Sequence, residues 1–346
     1  MQPGLIVLFG SGETMSSSTK THERVAQALG ERPRVAILEI PAGFEPNSDD
    51  VARKLAEGLG VRIQNHKPQM RIIAARKKGT AHSPDDPALV DPLLEANWLF
   101  LGPGSPTYAV KQLRDSRAYE NLLAAHAYGA TLMLASAASL SFGRFTIPVY
   151  EIYKVGEDLH WKDGLDLFGQ FGVSLVVVPH WNNNDGGSEL DTSRCYMGRM
   201  RFDALRAMLP ADHTILGLDE HTSVVIDPGT GKAEAVGAGR VTVLRGTEHQ
   251  EFQAGSSFPL SVLGNWSLPE NPAAPADAMA RAAAAQAAQT ATLTPPDEVL
   301  LLVDARRGAR QQKDWTQADR LRDEILALGW EVVDTPSGAE LTPHAE

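Results

Sequence analysis

The 346-residue chain predicts an α/β protein: a doubly wound, mostly parallel sheet followed by a small C-terminal helical domain. Three observations predict it. Short, wholly apolar runs alternate with stretches of helical spacing, as strands covered on both faces do. Most of these runs end in Gly, Ser or Pro, and open α/β sheets bind their ligands outside the carboxyl ends of their strands. Near Pro269 the composition turns to Ala, Pro and Gln, marking the end of the large domain.

The first strand is Leu5 to Phe9, closed by Gly10-Ser11-Gly12. Thr21 to Leu29 has helical spacing, with Val25, Ala28 and Leu29 on one face. Val35 to Ile40 is the second strand, ended by Pro41-Ala42-Gly43. Asp49 to Leu59 is a helix whose acidic first turn suits the helix dipole. Arg71 to Ala74 and Trp98 to Leu101 are the next strands, the latter running into Gly102-Pro103-Gly104-Ser105-Pro106. Helices near Tyr108 to Arg114 and Tyr119 to Tyr128 lead to a fifth strand, Thr131 to Ala135. Leu175 to Val178 ends at Pro179-His180-Trp181, and Ile215 to Leu218 at Asp219-Glu220-His221. Val224 to Ile226 and Val241 to Leu244 are expected to close the sheet as an antiparallel pair, with turn signals at Pro228 to Gly231. These spans predict a domain over 1–265, a linker over 266–296 carrying one Ala-rich helix, and a terminal domain over 297–346. In that last domain Val299 to Arg310 and Trp315 to Leu328 form helices, and Gly329 is a C-cap.

A hydrophobic fraction of 43% supplies ample core, and a net charge of −11 argues against a large nucleic-acid footprint. The single cysteine, Cys195, excludes an internal disulfide and fits a reducing cytosol, so a cytoplasmic protein is expected. The N-terminus lacks the basic region of a signal peptide, and no run of about 18 apolar residues would span a membrane.

The chemistry-bearing residues gather at strand ends. Ser136 directly follows the fifth strand and precedes the small residues Ala137-Ala138-Ser139, as at a turn that exposes a nucleophilic hydroxyl. A serine needs a base and a group that orients the base. His180 is the candidate base, and Asp219 or Glu220 the candidate acid. The three strand ends are expected on one edge of one sheet. The N–H of Ala137 and one from the Gly102 to Ser105 turn, at Gly102 or Gly104, are the candidate oxyanion donors. Each residue alone has a plainer reading: a tight packing point, a core histidine, a turn cap. A metal site over His180, Asp185, Glu189, Asp191, His213 and His221 matches no helical His-x-x-x-His pair, and Asn182 to Gly187 reads first as a loop. No metal or other cofactor is expected. Cys195 lies mid-loop without an adjacent base.

At these residues the sequence resembles the serine peptidases that include cyanophycinase and peptidase E, of the class I glutamine amidotransferase-like fold. The resemblance covers about Leu5 to Leu244. It rests on Gly10-Ser-Gly12, Ile40-Pro-Ala-Gly43, Phe100-Leu-Gly102, Ala135-Ser-Ala137, Gly164-Leu-Asp-Leu167, His180-Trp181 and Gly217-Leu-Asp-Glu220 with Thr222. It implies Ser136 as nucleophile, His180 as base and Glu220 as the likelier third member. It also implies an acidic peptide or amide substrate met by Arg199 and Arg201, with Ser105 and Asn182 as further substrate contacts. The chain departs from the family pattern in having Leu134 and Ala138 for the elbow glycines, Pro103 in the glycine turn, and an insertion over Asn182 to Met197. A catalytically impaired scaffold that binds a small ligand or tRNA is the alternative.

The tail resembles the C-terminal helical end of cysteinyl-tRNA synthetase through Arg306, Ala309-Arg310, Lys313-Asp-Trp315, Ala318-Asp319, Arg322-Asp323, Gly329, Asp334-Thr-Pro336 and Gly338. That implies tRNA as a partner. Six Lys or Arg against eleven Asp or Glu over 297–346, a net of −5, are poor for phosphate contact unless the basic residues share one face, and a docking or homodimerisation helix pair is at least an equal alternative.

Overall fold

Strands buried on both faces can be apolar throughout, and this property lays out the centre of the molecule. The computed structural model describes residues 2–30, 32–293, 295–335 and 338–343. In chain order, β1 (Ile6–Phe9), α1 (Thr19–Leu29), β2 (Arg34–Leu38), α2 (Ser48–Arg62) and β3 (Gln69–Ile73) open the chain. A short α3 (Pro87–Val90) precedes β4 (Trp98–Leu101), α4 (Pro106–Leu113), α5 (Arg117–Ala127), β5 (Thr131–Ala135) and α6 (Ala137–Ser141). Every residue of β1, β4 and β5 is buried. These strands and β2 and β3 pair in parallel in the order β1-β5-β4-β2-β3. One face carries a core cluster that includes Val7, Phe9, Val25, Ile37, Leu55, Trp98, Phe100 and Met133.

The second half departs from a single sheet. A two-residue pair, β6 (Phe145–Thr146) and β7 (Lys162–Asp163), brackets a π-helical turn at Glu151–Val155. β8 (Leu175–Val178), α7 (Gly198–Ala207) and β9 (Thr214–Leu218) follow, then β10 (Thr222–Asp227), β11 (Lys232–Gly237), β12 (Arg240–Arg245), β13 (Glu248–Gln253) and β14 (Ser257–Pro259). β10 joins β1 antiparallel and continues through β11 to β14, which completes an eight-stranded sheet. β8, β9, β12 and β13 form a separate four-stranded sheet. The crossing between sheets is short: only Asp219, Glu220 and His221 lie between β9 and β10, with His221 at φ +58°. The sheets approach closely there, since a Cβ on Gly10 would lie 2.1 Å from the Asp219 carbonyl oxygen.

Two expectations are therefore corrected. The catalytic candidates do not lie on one edge of one sheet. β10 and β12 also do not pair with each other: β10 pairs with β1 and β11, and β12 with β9 and β13. The partners β11 and β13 were hidden because they lack apolar runs; β13 reads Glu-His-Gln-Glu-Phe-Gln and is largely solvated. A solvated edge strand needs no continuous apolar sequence.

Contacts divide the chain into two compact units, Met1–Ala282 and Ala283–Glu346. Much of the expected linker is helix α8 (Ala276–Leu293). Its Arg281 reaches Glu120 at 3.2 Å and the Asn121 side-chain oxygen at 3.1 Å. In the second unit, α9 (Asp297–Gln311) and α10 (Trp315–Ala327) pack with a hairpin that the sequence reading did not include, β15 (Trp330–Thr335) and β16 (Gly338–Pro343). Val299, Ile325, Trp330 and Val332 form its core. Arg306, 4% exposed, forks onto both oxygens of Asp334 at 2.8 Å, a geometry suited to guanidinium and carboxylate. Gly329 ends α10 with φ +81°. Pro336, part of the tail motif, lies outside the described residues. Among the described residues no helix is long and apolar enough to cross a membrane.

Candidate active site

The serine is placed by regular structure. β5 delivers it, α6 begins at the next residue, and Ser136 itself takes φ +52°, ψ −111°. A side chain in that region costs on the order of 1–3 kcal/mol, which surrounding structure must hold in place. Here the hold comes from Ser139, whose hydroxyl bridges the carbonyls of Phe9 (3.1 Å) and Leu134 (2.9 Å) and ties α6 to two strands. Leu134 and Ala138, on either side of the elbow, are fully buried. The elbow forms without glycine because its one left-handed residue is the serine.

Ser136 Oγ lies 2.9 Å from His180 Nε2, and His180 Nδ1 lies 3.2 Å from Glu220 Oε1. The histidine follows β8 at φ +51°, its N–H donating to the Gly10 carbonyl at 3.1 Å. Neighbouring Trp181 donates to the Leu218 carbonyl at 2.9 Å, so His180 is anchored to the ends of β1 and β9. Its hydrogen bond to His180 holds the Glu220 carboxyl below the ordinary carboxylate range, against the opposing effect of burial. Glu13, in the loop after β1, is a further acid near His180; burial pushes its carboxyl upward.

The other candidates divide. Asp219 turns away: its carboxylate accepts the Arg240 N–H at 3.1 Å and faces the Arg240 guanidinium, while burial raises its carboxyl. A recess of about 270 Å³ is lined by Ser136, His180, Gly104, Ala137, Tyr150, Tyr153, Lys154, Cys195 and Tyr196, with Pro106, Leu140 and Val149. Gly104 and Ala137 thus border the serine, and neither N–H is taken by a backbone carbonyl among the described residues. Gly104 has φ +145°, and a Cβ there would strike the Pro41 carbonyl. Gly102 is not on the recess; its open side faces Leu55. Ser105 caps α4, accepting from the Tyr108 N–H, and lines an adjoining cavity of about 710 Å³ that shares Tyr150 with the recess.

Asn182 accepts the Glu220 N–H at 2.7 Å. Arg199 is exposed, and the Arg201 guanidinium donates to the carbonyls of Met197 and Tyr196, so neither lines the recess. The recess cation is Lys154, on the π-helical turn with Tyr153. No motif marks it, because three-dimensional folding alone brings this segment to the serine. Cys195 lies on the recess wall, but burial pushes its thiol up to about 12, which leaves it inert as a nucleophile. The residues considered for a metal are dispersed: Asp185 meets the Tyr196 hydroxyl, Asp191 accepts from Ser193 and Arg199 N–H groups, and His213 meets Ser174. Among the described residues no three His, Cys, Asp or Glu are grouped to hold a metal ion.

Comparison with solved structures finds this fold. A crystal structure of a peptidase from an acI-B1 Actinobacterium superposes with a TM-score of 0.60 at 19% identity, covering 75% of this chain and 97% of that one. The fold is peptidase-like. Residues 295–339 match the family model described as the cysteinyl-tRNA ligase anticodon binding domain. Over 46 residues the chain is 52% identical to the cysteine–tRNA ligase of Chlamydia trachomatis serovar A and 50% identical to cysteine–tRNA ligase 1 of Burkholderia lata. The chain spans about a tenth of the length of these curated relatives and 13% of its own residues match each of them. The conspicuous side chains of that stretch have structural partners: Arg306 and Arg310 meet Asp334, and Arg310 lies 5.6 Å from the centre of the exposed Trp315 ring.

Proposed function

We propose that the first unit is a serine hydrolase of peptide or amide bonds. The observation that carries this reading is the unbroken line from Ser136 Oγ through His180 to Glu220, at 2.9 and 3.2 Å, beside a recess open to a ligand. His180 Nε2 takes the serine proton as Oγ attacks the substrate carbonyl, while Nδ1–H stays bonded to Glu220, which stabilises the imidazolium. The N–H groups of Gly104 and Ala137 are the donors available to the developing oxyanion. His180 then passes the proton to the leaving amine, and water, activated by the same histidine, releases the acid and restores Ser136. Loss of the Pro103 donor matters little in this scheme, since Gly104 borders the recess in its place. An acidic substrate group would meet Lys154 rather than Arg199 or Arg201.

The test is treatment with a fluorophosphonate, which reacts with activated serines. Covalent labelling that disappears in Ser136→Ala supports the reading, and absence of labelling in the intact chain removes it.

A second reading concerns the terminal unit, which we propose as an RNA-binding appendage on the ground of its match to an anticodon binding domain. Its net charge of −5 over 297–346 predicts weak, salt-sensitive binding. A mobility-shift assay with tRNA at low and moderate salt decides it; no shift at low salt rejects it.

A further inference from the structure

The insertion Asn182 to Met197 is braced within itself and against the preceding Trp181. Gly186 N–H donates to Thr192 Oγ1 at 3.1 Å, the Tyr196 hydroxyl donates to Asp185 Oδ2 at 2.9 Å, and the Arg194 guanidinium sits 3.8 Å over the Trp181 ring. The first two residues of the insertion both act on Glu220. Asn182 Oδ1 accepts the Glu220 N–H at 2.7 Å, which fixes the backbone. Asn183, only 3% exposed, donates from Nδ2 to Glu220 Oε1 at 2.9 Å. The orientation of that amide is determined: its Oδ1 accepts the Asp185 N–H at 3.2 Å, so the NH₂ group must face Glu220. The carboxylate oxygen it reaches is the one that accepts His180 Nδ1–H. A glutamate has a long side chain, and holding it in one rotamer costs entropy that a partner must offset.

We infer that Asn183 is a positioning residue that aims Glu220 at His180, with the insertion as the frame that holds it. This rests on the Ser136–His180–Glu220 reading above. A carboxylate oxygen has lone pairs for both donors, so the two bonds coexist and each fixes the direction of the other. Asn183 touches no substrate; it acts through Glu220.

Two variants test the inference. Asn183→Ala removes the donor. Asn183→Asp keeps the volume and the acceptor for Asp185 N–H but sets an oxygen against Glu220, so it carries the test if the alanine variant does not fold. In both, the maximal rate of fluorophosphonate labelling is expected to fall on the order of tenfold, with half-saturation within about twofold. The ¹⁵N shifts of the His180 ring are expected to move from a single Nδ1–H tautomer to a mixture. Wild-type labelling rates, an unchanged His180 spectrum, or loss of fold in both variants would each overturn the inference. An intact chain that is never labelled removes the hydrolase reading, and the His180 spectrum still decides whether Asn183 aims Glu220.

Discussion

The two sides of the candidate site are built differently. Ser136 stands at the junction of a buried strand and a buried helix in the eight-stranded sheet, where the apolar burial of both elements and the buried Ser139 hydroxyl together hold it. His180 and Glu220 stand on irregular backbone at the ends of β8 and β9 in the other sheet, and individual hydrogen bonds hold them. The first side resists change because many contacts share the task. The second depends on a few donors, so single substitutions there should cost chemistry before they cost stability.

The largest expected effect breaks the line between the sides. Ser136→Ala should abolish labelling and turnover while leaving the urea midpoint nearly unchanged; retained labelling would remove the serine from the chemistry. Next comes the polar side. Glu220→Gln should slow labelling by about two to four orders of magnitude, since an orienting acid is worth up to that. Asp219→Asn should stay within about threefold of wild type, because Asp219 serves Arg240 and not His180. Equal effects of the two would erase the distinction drawn between them.

The serine side has its own sensitivity, which is to acid. His126, on α5 against β5, is fully buried, and burial lowers it from 6.5 to about 4; His22, packed between Phe9 and Trp98, is lowered to about 3 for the same reason. Between 6.5 and these values the unfolded chain binds a proton that the folded chain refuses, so stability falls as pH falls through that window. Each histidine should cost about 2 kcal/mol on going from pH 7 to pH 5. Urea unfolding of His126→Gln should show a pH dependence flatter by that amount, and an unaltered slope would contradict the assignment.

The smallest effect concerns the elbow itself. Ser136→Gly should raise stability by about 1 kcal/mol relative to Ser136→Ala, because glycine adopts φ +52° without strain. A glycine variant no more stable than the alanine one would place the strain elsewhere.

This contrast also explains what the sequence could carry. Wholly apolar runs with small residues at their ends announce β1, β4, β5 and β8, and hence the places of Ser136 and His180. The choice between Asp219 and Glu220 is not in the composition. It depends on which of two adjacent side chains turns toward β8 as the chain crosses between sheets at Asp219 to His221. Asn183 belongs to a segment whose local pattern reads as loop and Lys154 to one that carries no motif, and only tertiary folding brings them to the site. Arg199 and Arg201 show the converse, plausible in sequence but directed by the fold to solvent and to backbone carbonyls. In the tail, the spacing of Arg306 and Asp334 reflects an ion pair inside the unit, and the hairpin carrying Asp334 has no apolar run long enough to announce itself.

Whether Ser136 is an activated nucleophile is read from the site of modification after the intact chain reacts with a fluorophosphonate at neutral pH, by peptide mass spectrometry. One adduct is expected, on Ser136. An adduct on any other residue, or none, would contradict it.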